Sequence, residues 1–189
     1  MPRTSRTPYA ILGALSQGSM SGYDVRQLFD REGMFFWNES YGQIYPMLKR
    51  LHSQGHVEMT VEEREVGPER KLYSLTDKGR AELTRWLRQP ATPHSTRDEY
   101  LLKLHFAQAD RPSVALASIE KLHDEVEAAT ERLSEERAEL QELTPDQQER
   151  LYHDLTMRWA ELYHEARIKW CREAIDRMQE AMDTSPDAP

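Results

Sequence analysis

The sequence predicts a mainly α-helical chain in two parts, the first carrying one β-hairpin among short helices and the second built from longer helices with coiled-coil-like spacing. Three observations predict it. Apolar residues recur at helical intervals through most of the 189 residues. The period drops to two over one stretch only, between Val57 and Leu75. Beyond a Pro-containing segment at 89–95, spacings of three and four alternate from Ile119 to Leu143, the signature of a heptad seam.

The elements follow in order. Thr7-Pro8 opens a first helix through Leu15, with proline at a first-turn position where its missing N–H costs nothing. Ser21, with Asp24 three residues later, caps a second helix that turns Val25, Leu28 and Phe29 to one side. In a third helix Ile44, Leu48 and Leu51 share a face and Gly55 stands at the C-terminal cap, which puts the helix end near Gln54. Pro46 belongs near a helix start, so the first turn is expected around Gly42 to Gln43. Val57, Met59 and Val61 alternate with Glu58, Thr60 and Glu62, and after Val66-Gly67-Pro68-Glu69 the alternation resumes through Lys71–Leu75, which predicts a hairpin with a Gly-Pro turn. Thr76 caps a linking helix through Ala81, Leu83, Trp86 and Leu87.

The segment 89–95 is read as a boundary, giving an N-terminal domain over residues 1–92, a helical domain over 93–183 and a tail at 184–189. In the second domain Thr96-x-x-Glu99 is expected to cap a short helix through Leu102 and Phe106. Asp110 is expected to cap the long heptad helix, whose Ile119, Leu122, Val126, Ala129, Leu133, Leu140 and Leu143 form a seam broken at Glu136. Thr144-Pro145-x-Gln147 is expected to cap the last helix, with Leu151, Leu155, Trp159, Leu162, Ala166, Trp170, Ala174, Met178 and Met182 as its stripe.

Composition excludes several classes. No apolar run is long enough to span a bilayer, and the basic N-terminus lacks the apolar core of a secretory signal, so the cytoplasm is the expected compartment and no membrane partner is expected. A single cysteine, Cys171, excludes an internal disulfide and a cysteine-based zinc cluster. There is no Gly-rich phosphate loop, His-Glu-x-x-His or nucleophile elbow, so neither an enzyme nor a cofactor is expected. His52 and His56 straddle the helix end at Gly55, and His105, His123, His153 and His164 are scattered, so no metal site is expected. The formal charge of −8 argues against a nucleic-acid partner until its distribution is seen: residues 1–92 carry 13 Lys/Arg against 11 Asp/Glu, and the acid lies in the second half.

Three helices followed by a hairpin is the order of a winged helix-turn-helix, in which the helix before the hairpin enters the major groove. Around the inward line of the third helix stand Ser40, Tyr41, Gln43, Tyr45, Lys49 and Arg50. Gln43 suits an adenine edge, Ser40 and Tyr41 suit phosphate oxygens, and Lys49 and Arg50 suit phosphate contacts that set register. The competing class is a helical scaffold with weak DNA affinity, which the acidic second half favours.

The runs Ser21-Gly22-Tyr23-Asp24, Phe36-Trp37-Asn38, Ser40-Tyr41-Gly42-Gln43-Ile44-Tyr45-Pro46-x-Leu48-x-Arg50-Leu51 and Arg70-Lys71-x-Tyr73-Ser74-Leu75-Thr76-x-x-Gly79 resemble the PadR-like transcriptional regulators. The resemblance covers about the first half of the chain, with a looser likeness in the helical second half. It implies a homodimer held by the C-terminal helices and the first helix, DNA contacts from Tyr23 and from Arg64, Arg70 and Lys71 of the wing, repression through an inverted-repeat operator, and release by a small aromatic or drug-like effector. One departure stands out: family wings tend to be basic, whereas Glu58, Glu62, Glu63, Glu65 and Glu69 surround Arg64, Arg70 and Lys71 here.

For dimerisation the candidates are Ile119, Leu122, Val126 and Leu133 with Leu155, Trp159, Leu162 and Trp170. The heptad seam serves either an intramolecular hairpin with the last helix or a dimer, and both hold if two apolar stripes exceed what one thin hairpin buries. Trp159 and Trp170, eleven residues apart, project from nearly one helix face and with Trp37 are candidates for an aromatic ligand pocket or, alternatively, for core packing.

Overall fold

Each stretch of apolar periodicity becomes one element of the computed structural model, which describes residues 6–31, 34, 36–37, 41–62, 69–91, 98–107, 111–143 and 146–184. The chain divides into two units, Met1–Pro93 and His94–Pro189.

The first unit runs α1 (Thr7–Ser16), α2 (Gly22–Phe29), α3 (Tyr41–Ser53), β1 (Val57–Glu62), β2 (Arg70–Leu75) and α4 (Asp77–Leu87). Its core gathers Ile11, Leu12 and Leu15 of α1, Val25 and Phe29 of α2, Ile44, Leu48 and Leu51 of α3, Val57, Tyr73 and Leu75 of the strands, and Leu83 of α4. Burial of each large side chain in this set is worth about 1.5–3 kcal/mol. Helix α1 lies against α3, α4 and β2, so it is the element the others pack around. Tyr9 of α1 stacks on Trp86 of α4 with ring centroids 4.8 Å apart, and its hydroxyl donates to Glu82 at 3.1 Å.

The strands pair antiparallel from Val57 opposite Leu75 to Glu62 opposite Arg70. The expected Gly-Pro turn lies outside the described residues. Met20 adds an isolated bridge to Tyr73, with N–O distances of 3.0 and 2.8 Å, which fastens β2 to the chain just ahead of α2.

Three junctions set how these elements meet. At the end of α3, Gly55 adopts φ +72°, its N–H bonds the His52 carbonyl, and the His56 N–H bonds that of Leu51. This is a Schellman closure, and the positive φ is why glycine stands there. The Thr76 hydroxyl donates to the carbonyls of Gly55 and His56 and accepts from the Gly79 N–H at 3.1 Å, capping α4 on the end of α3. Gly79 sits so close that a Cβ there would lie far inside van der Waals contact with the His56 carbonyl oxygen.

Helix α3 begins at Tyr41, slightly earlier than Pro46 led the sequence reading to expect. Pro46 is exposed in the second turn, so the cost is one missing hydrogen bond, that of the Gly42 carbonyl, with the ring turned to solvent.

The second unit comprises α5 (Glu99–His105), α6 (Pro112–Leu143) and α7 (Gln147–Asp183). The last two are antiparallel: Arg137 pairs with Asp154 and Glu161, Thr130 meets His164, and Glu127 meets Arg172. Helix α5 rests on α6, with the Tyr100 hydroxyl donating to Glu125 at 2.8 Å. Two caps differ from expectation. Thr96 and Thr144 lie outside the described residues, and the caps are Asp98, accepting from the Leu101 N–H, and Asp146, accepting from that of Glu149. Each carboxylate stands immediately before its helix, where it reaches the free N–H groups of the first turn, and Thr-x-x-Glu/Gln spacing does not reveal it. The expected Asp110 cap is also outside the described residues.

Replacing Gly79 by alanine is expected to lower stability by about 2 kcal/mol, because the obstacle is a backbone carbonyl and not a side chain that can swing away. Urea denaturation should show a lower midpoint at an unchanged slope.

Candidate nucleic-acid interface

Helix α3 has one inward line. Ile44, Leu48 and Leu51 are buried, and a helix that turns 100° per residue must then turn Gln43, Tyr45, Lys49 and Arg50 outward, where all four are exposed. Gln43 and Arg50 are seven residues apart on one flank, and Tyr45 and Lys49 are four apart on the other. The face therefore offers an amide, a phenol and two cations on a rigid helix closed at its end by Gly55.

Helix α2 crosses beneath this face. Gly22 lets the Tyr45 ring lie against its backbone, since a Cβ there would run into the ring. Tyr23 is 55 % exposed beside it, its hydroxyl accepting from the Gln27 amide at 3.2 Å. Of the other expected contacts, Lys71 is exposed on β2. Ser40 and Arg64 lie outside the described residues, as does the side chain of Tyr41.

Arg70, on β2, has protein partners of its own. Its guanidinium bonds Asp24 and lies 3.9 Å from Glu62. Asp24 is also the acceptor of the α2 capping box, taking the Ser21 N–H and hydroxyl, each at 2.8 Å, while the Ser21 hydroxyl accepts the Asp24 N–H. Burial pushes the Asp24 carboxyl up, and the Ser21 bonds together with Arg70 more than reverse this, leaving it below the ordinary aspartate range.

In the second unit Ile119, Leu122, Val126 and Leu133 are at most 4 % exposed, the first three packing with Tyr100 and Leu104 of α5 and with Ile168 and Cys171 of α7. On α7 the line facing α6 is Met157, Ala160, His164, Ile168, Cys171, Ile175 and Met178, at spacings of three and four. The expected stripe meets this core only toward its end, at Trp170, Ala174 and Met178, because the alanine, histidine and cysteine of the earlier turns carry little of the hydrophobic signal. The brighter row of Leu151, Leu155, Trp159 and Leu162 points away, with each residue about half exposed.

The tryptophans do not share one environment. Trp159 stacks on Tyr163 at 5.7 Å in the open row, Trp170 packs partly buried beside Ile119, Leu122, Val126 and Cys171, and Trp37, in the first unit, is partly buried. Cys171 is fully buried and its thiol is pushed up by desolvation. His123 gathers Asp124 and Glu127, a carboxylate set that the sequence reading left unseen. Arg172 donates to His123 at 3.3 Å and to Glu127 at 2.9 Å, so a guanidinium already supplies the positive charge there.

Residues 11–85 match the Transcriptional regulator PadR-like family, and residues 96–179 match the family described as Virulence activator alpha C-term. The chain is 41 % identical over 99 residues to the Negative transcriptional regulator PadR of Bacillus subtilis, covering 52 % of this chain and 54 % of that protein. It spans about half the length of the curated relatives it matches. The structure of Bacillus subtilis PadR in complex with operator DNA is similar over 92 % of this chain and 99 % of that one, at 28 % identity and a TM-score of 0.75. The same protein in complex with p-coumaric acid is similar over 93 % and 99 %, at 28 % identity and a TM-score of 0.68.

Because the folded-state pKa of Asp24 is depressed, its contribution to stability is fully present above the ordinary value of 3.8 and is lost as pH falls through the lower value in the folded protein. Between about pH 6 and about pH 3 the wild type is expected to lose more stability than Asp24→Asn, read as the fall in urea midpoint.

Proposed function

We propose that this chain, which belongs to the PadR-like family of transcriptional regulators, binds an inverted-repeat operator as a homodimer and represses the genes it covers. The observation that carries the proposal is the α3 face, where one buried apolar line forces Gln43, Tyr45, Lys49 and Arg50 outward together. Gln43 has the paired donor and acceptor that match the N6 and N7 edge of adenine. Lys49 and Arg50 neutralise phosphates and fix the register, with Tyr23, Ser40, Tyr41 and Tyr45 adding sugar-phosphate contacts and Arg64 and Lys71 serving the wing. Two such helices in a dimer read half-sites about 34 Å apart or a multiple of that. A dimer seated on a promoter blocks polymerase without further contacts, and the negative regulator among the relatives supports that sign.

The exposed row Leu151, Leu155, Trp159 and Leu162 supports α7 as the dimer-forming surface, since about four half-exposed large apolar residues in line form the kind of patch that monomers rarely leave uncovered. A small aromatic effector belongs to the same reading, supported by the p-coumaric acid complex of the similar structure. Trp159, half exposed and stacked on Tyr163, is the proposed aromatic contact. The compartment this function requires is the cytoplasm, and no helix of the described residues is long and apolar enough to cross a membrane.

Binding to a labelled fragment of the gene's own upstream DNA, against a scrambled duplex, tests the proposal. Wild type is expected to prefer the upstream fragment, with affinity falling steeply as salt rises. Gln43→Ala should cost about 1–3 kcal/mol on the operator and little on the scrambled duplex. Arg50→Ala should weaken both and reduce the salt slope by about one phosphate. Equal, feeble binding to both duplexes would return the protein to the helical-scaffold class.

Sedimentation equilibrium tests the dimer. Leu155→Glu and Trp159→Glu are expected to give folded monomers, whereas Leu133→Ala should lower stability by about 2–5 kcal/mol through the cavity it leaves in the hairpin.

A further inference from the structure

We propose that Arg70 is a positioning residue and not a phosphate ligand: its guanidinium braces the wing against the N-terminus of α2 and so sets where the wing lies beside the recognition helix. The proposal rests on the DNA-binding reading above and adds to it the side chain that orients the second contact surface.

Arg70 opens β2 opposite Glu62, the last described pair of the ladder before the wing tip. The backbone attachment of β2 to the start of α2, the Met20 to Tyr73 bridge, lies three residues further along the strand, about 10 Å away. Beyond that bridge the hairpin is a two-stranded ribbon, which on its own is marginally stable and free to twist. The Arg70 to Asp24 bond is the described side-chain tie that crosses this gap, and it ends on a carboxylate already locked by two bonds from Ser21. A brace needs a rigid anchor, and the capping box supplies one.

The local charge supports the same role. Asp24, Glu62 and Arg70 together sum to −1, so this spot repels phosphate, and an arginine that turned to DNA would leave Glu62 and Asp24 without their shared cation, Asp24 keeping only its Ser21 bonds. A wing without its brace must be ordered at the moment of binding, which lowers operator affinity without removing a charge contact.

The test uses the full-length protein with Asp24→Asn, Arg70→Gln, Arg70→Lys and the Asp24→Asn/Arg70→Gln double variant. Charge alone predicts that Asp24→Asn, which removes a negative charge near the duplex, tightens binding. The brace predicts that it weakens operator binding about tenfold, the loss of one charge-assisted hydrogen bond. Arg70→Gln should do the same with an unchanged slope of log affinity against log salt, and the double variant should be no worse than either single one. Arg70→Lys, which keeps one donor within reach of Asp24, should recover part of the loss.

Amide hydrogen exchange provides the arm without DNA. Exchange over Arg70–Tyr73 should quicken in Asp24→Asn and Arg70→Gln while α4 stays protected, showing that the unit remains folded. Unchanged or tighter operator binding by Asp24→Asn, a salt slope flattened by about one phosphate in Arg70→Gln, or unaltered exchange in β2 would overturn the proposal. If wild type shows no operator preference, it is the DNA-binding reading that fails, and the exchange comparison still decides whether Arg70 braces the wing.

Discussion

Helix α3 has thirteen residues and one buried line, and most of what the first unit does depends on that line. Ile44 and Leu48 are essentially inaccessible to solvent beneath α1, and rotating the helix to expose another face would bring both back into water at a cost of about 1.5–3 kcal/mol each. The outward set of Gln43, Tyr45, Lys49 and Arg50 is the geometric complement of the buried one. The chemistry this helix presents outward is thus secured by packing on its opposite side.

The elements around α3 are joined by polar contacts of high specificity. Gly55 closes its C-terminus, and Thr76 bonds that closure to the start of α4, where Gly79 lets the helix approach the His56 carbonyl. On the other side Asp24 serves α2 and the wing at once, through Ser21 and through Arg70. Each junction uses one small or short polar residue in two roles, so few residues define the angles between helix, hairpin and helix. Hydrogen bonds of this kind add only about 1 kcal/mol apiece to stability, yet they choose one arrangement among several of similar burial.

The second unit solves a different problem. Two long helices with a narrow seam between them bury little, and here the seam is partly polar, with His164 against Thr130 and Arg137 bonded to Asp154 and Glu161. Such a seam gains register from charge pairing and loses hydrophobic drive, which fits a hairpin that keeps its strongest apolar row for another surface. The row from Leu151 to Leu162 stays about half exposed on the side of α7 turned away from that seam.

The sequence by itself determined the element order, because helical and two-residue periods, the Ser21 and Thr76 caps and the Gly55 stop are local signals that packing had no reason to override. It also determined the outward face of α3, since strong apolar residues at 44, 48 and 51 leave one way to turn the helix. Tertiary structure alone decided three things. Arg70 is engaged by Asp24, forty-six residues away, and no local pattern announces a long-range ion pair. The caps moved to Asp98 and Asp146, because several acceptors near a helix start compete and only the backbone path selects one. The face of α7 that meets α6 is the weaker stripe of Met157, Ala160, His164 and Cys171, because close helix approach rewards small or well-fitted side chains, whereas a hydrophobic pattern counts only the large ones.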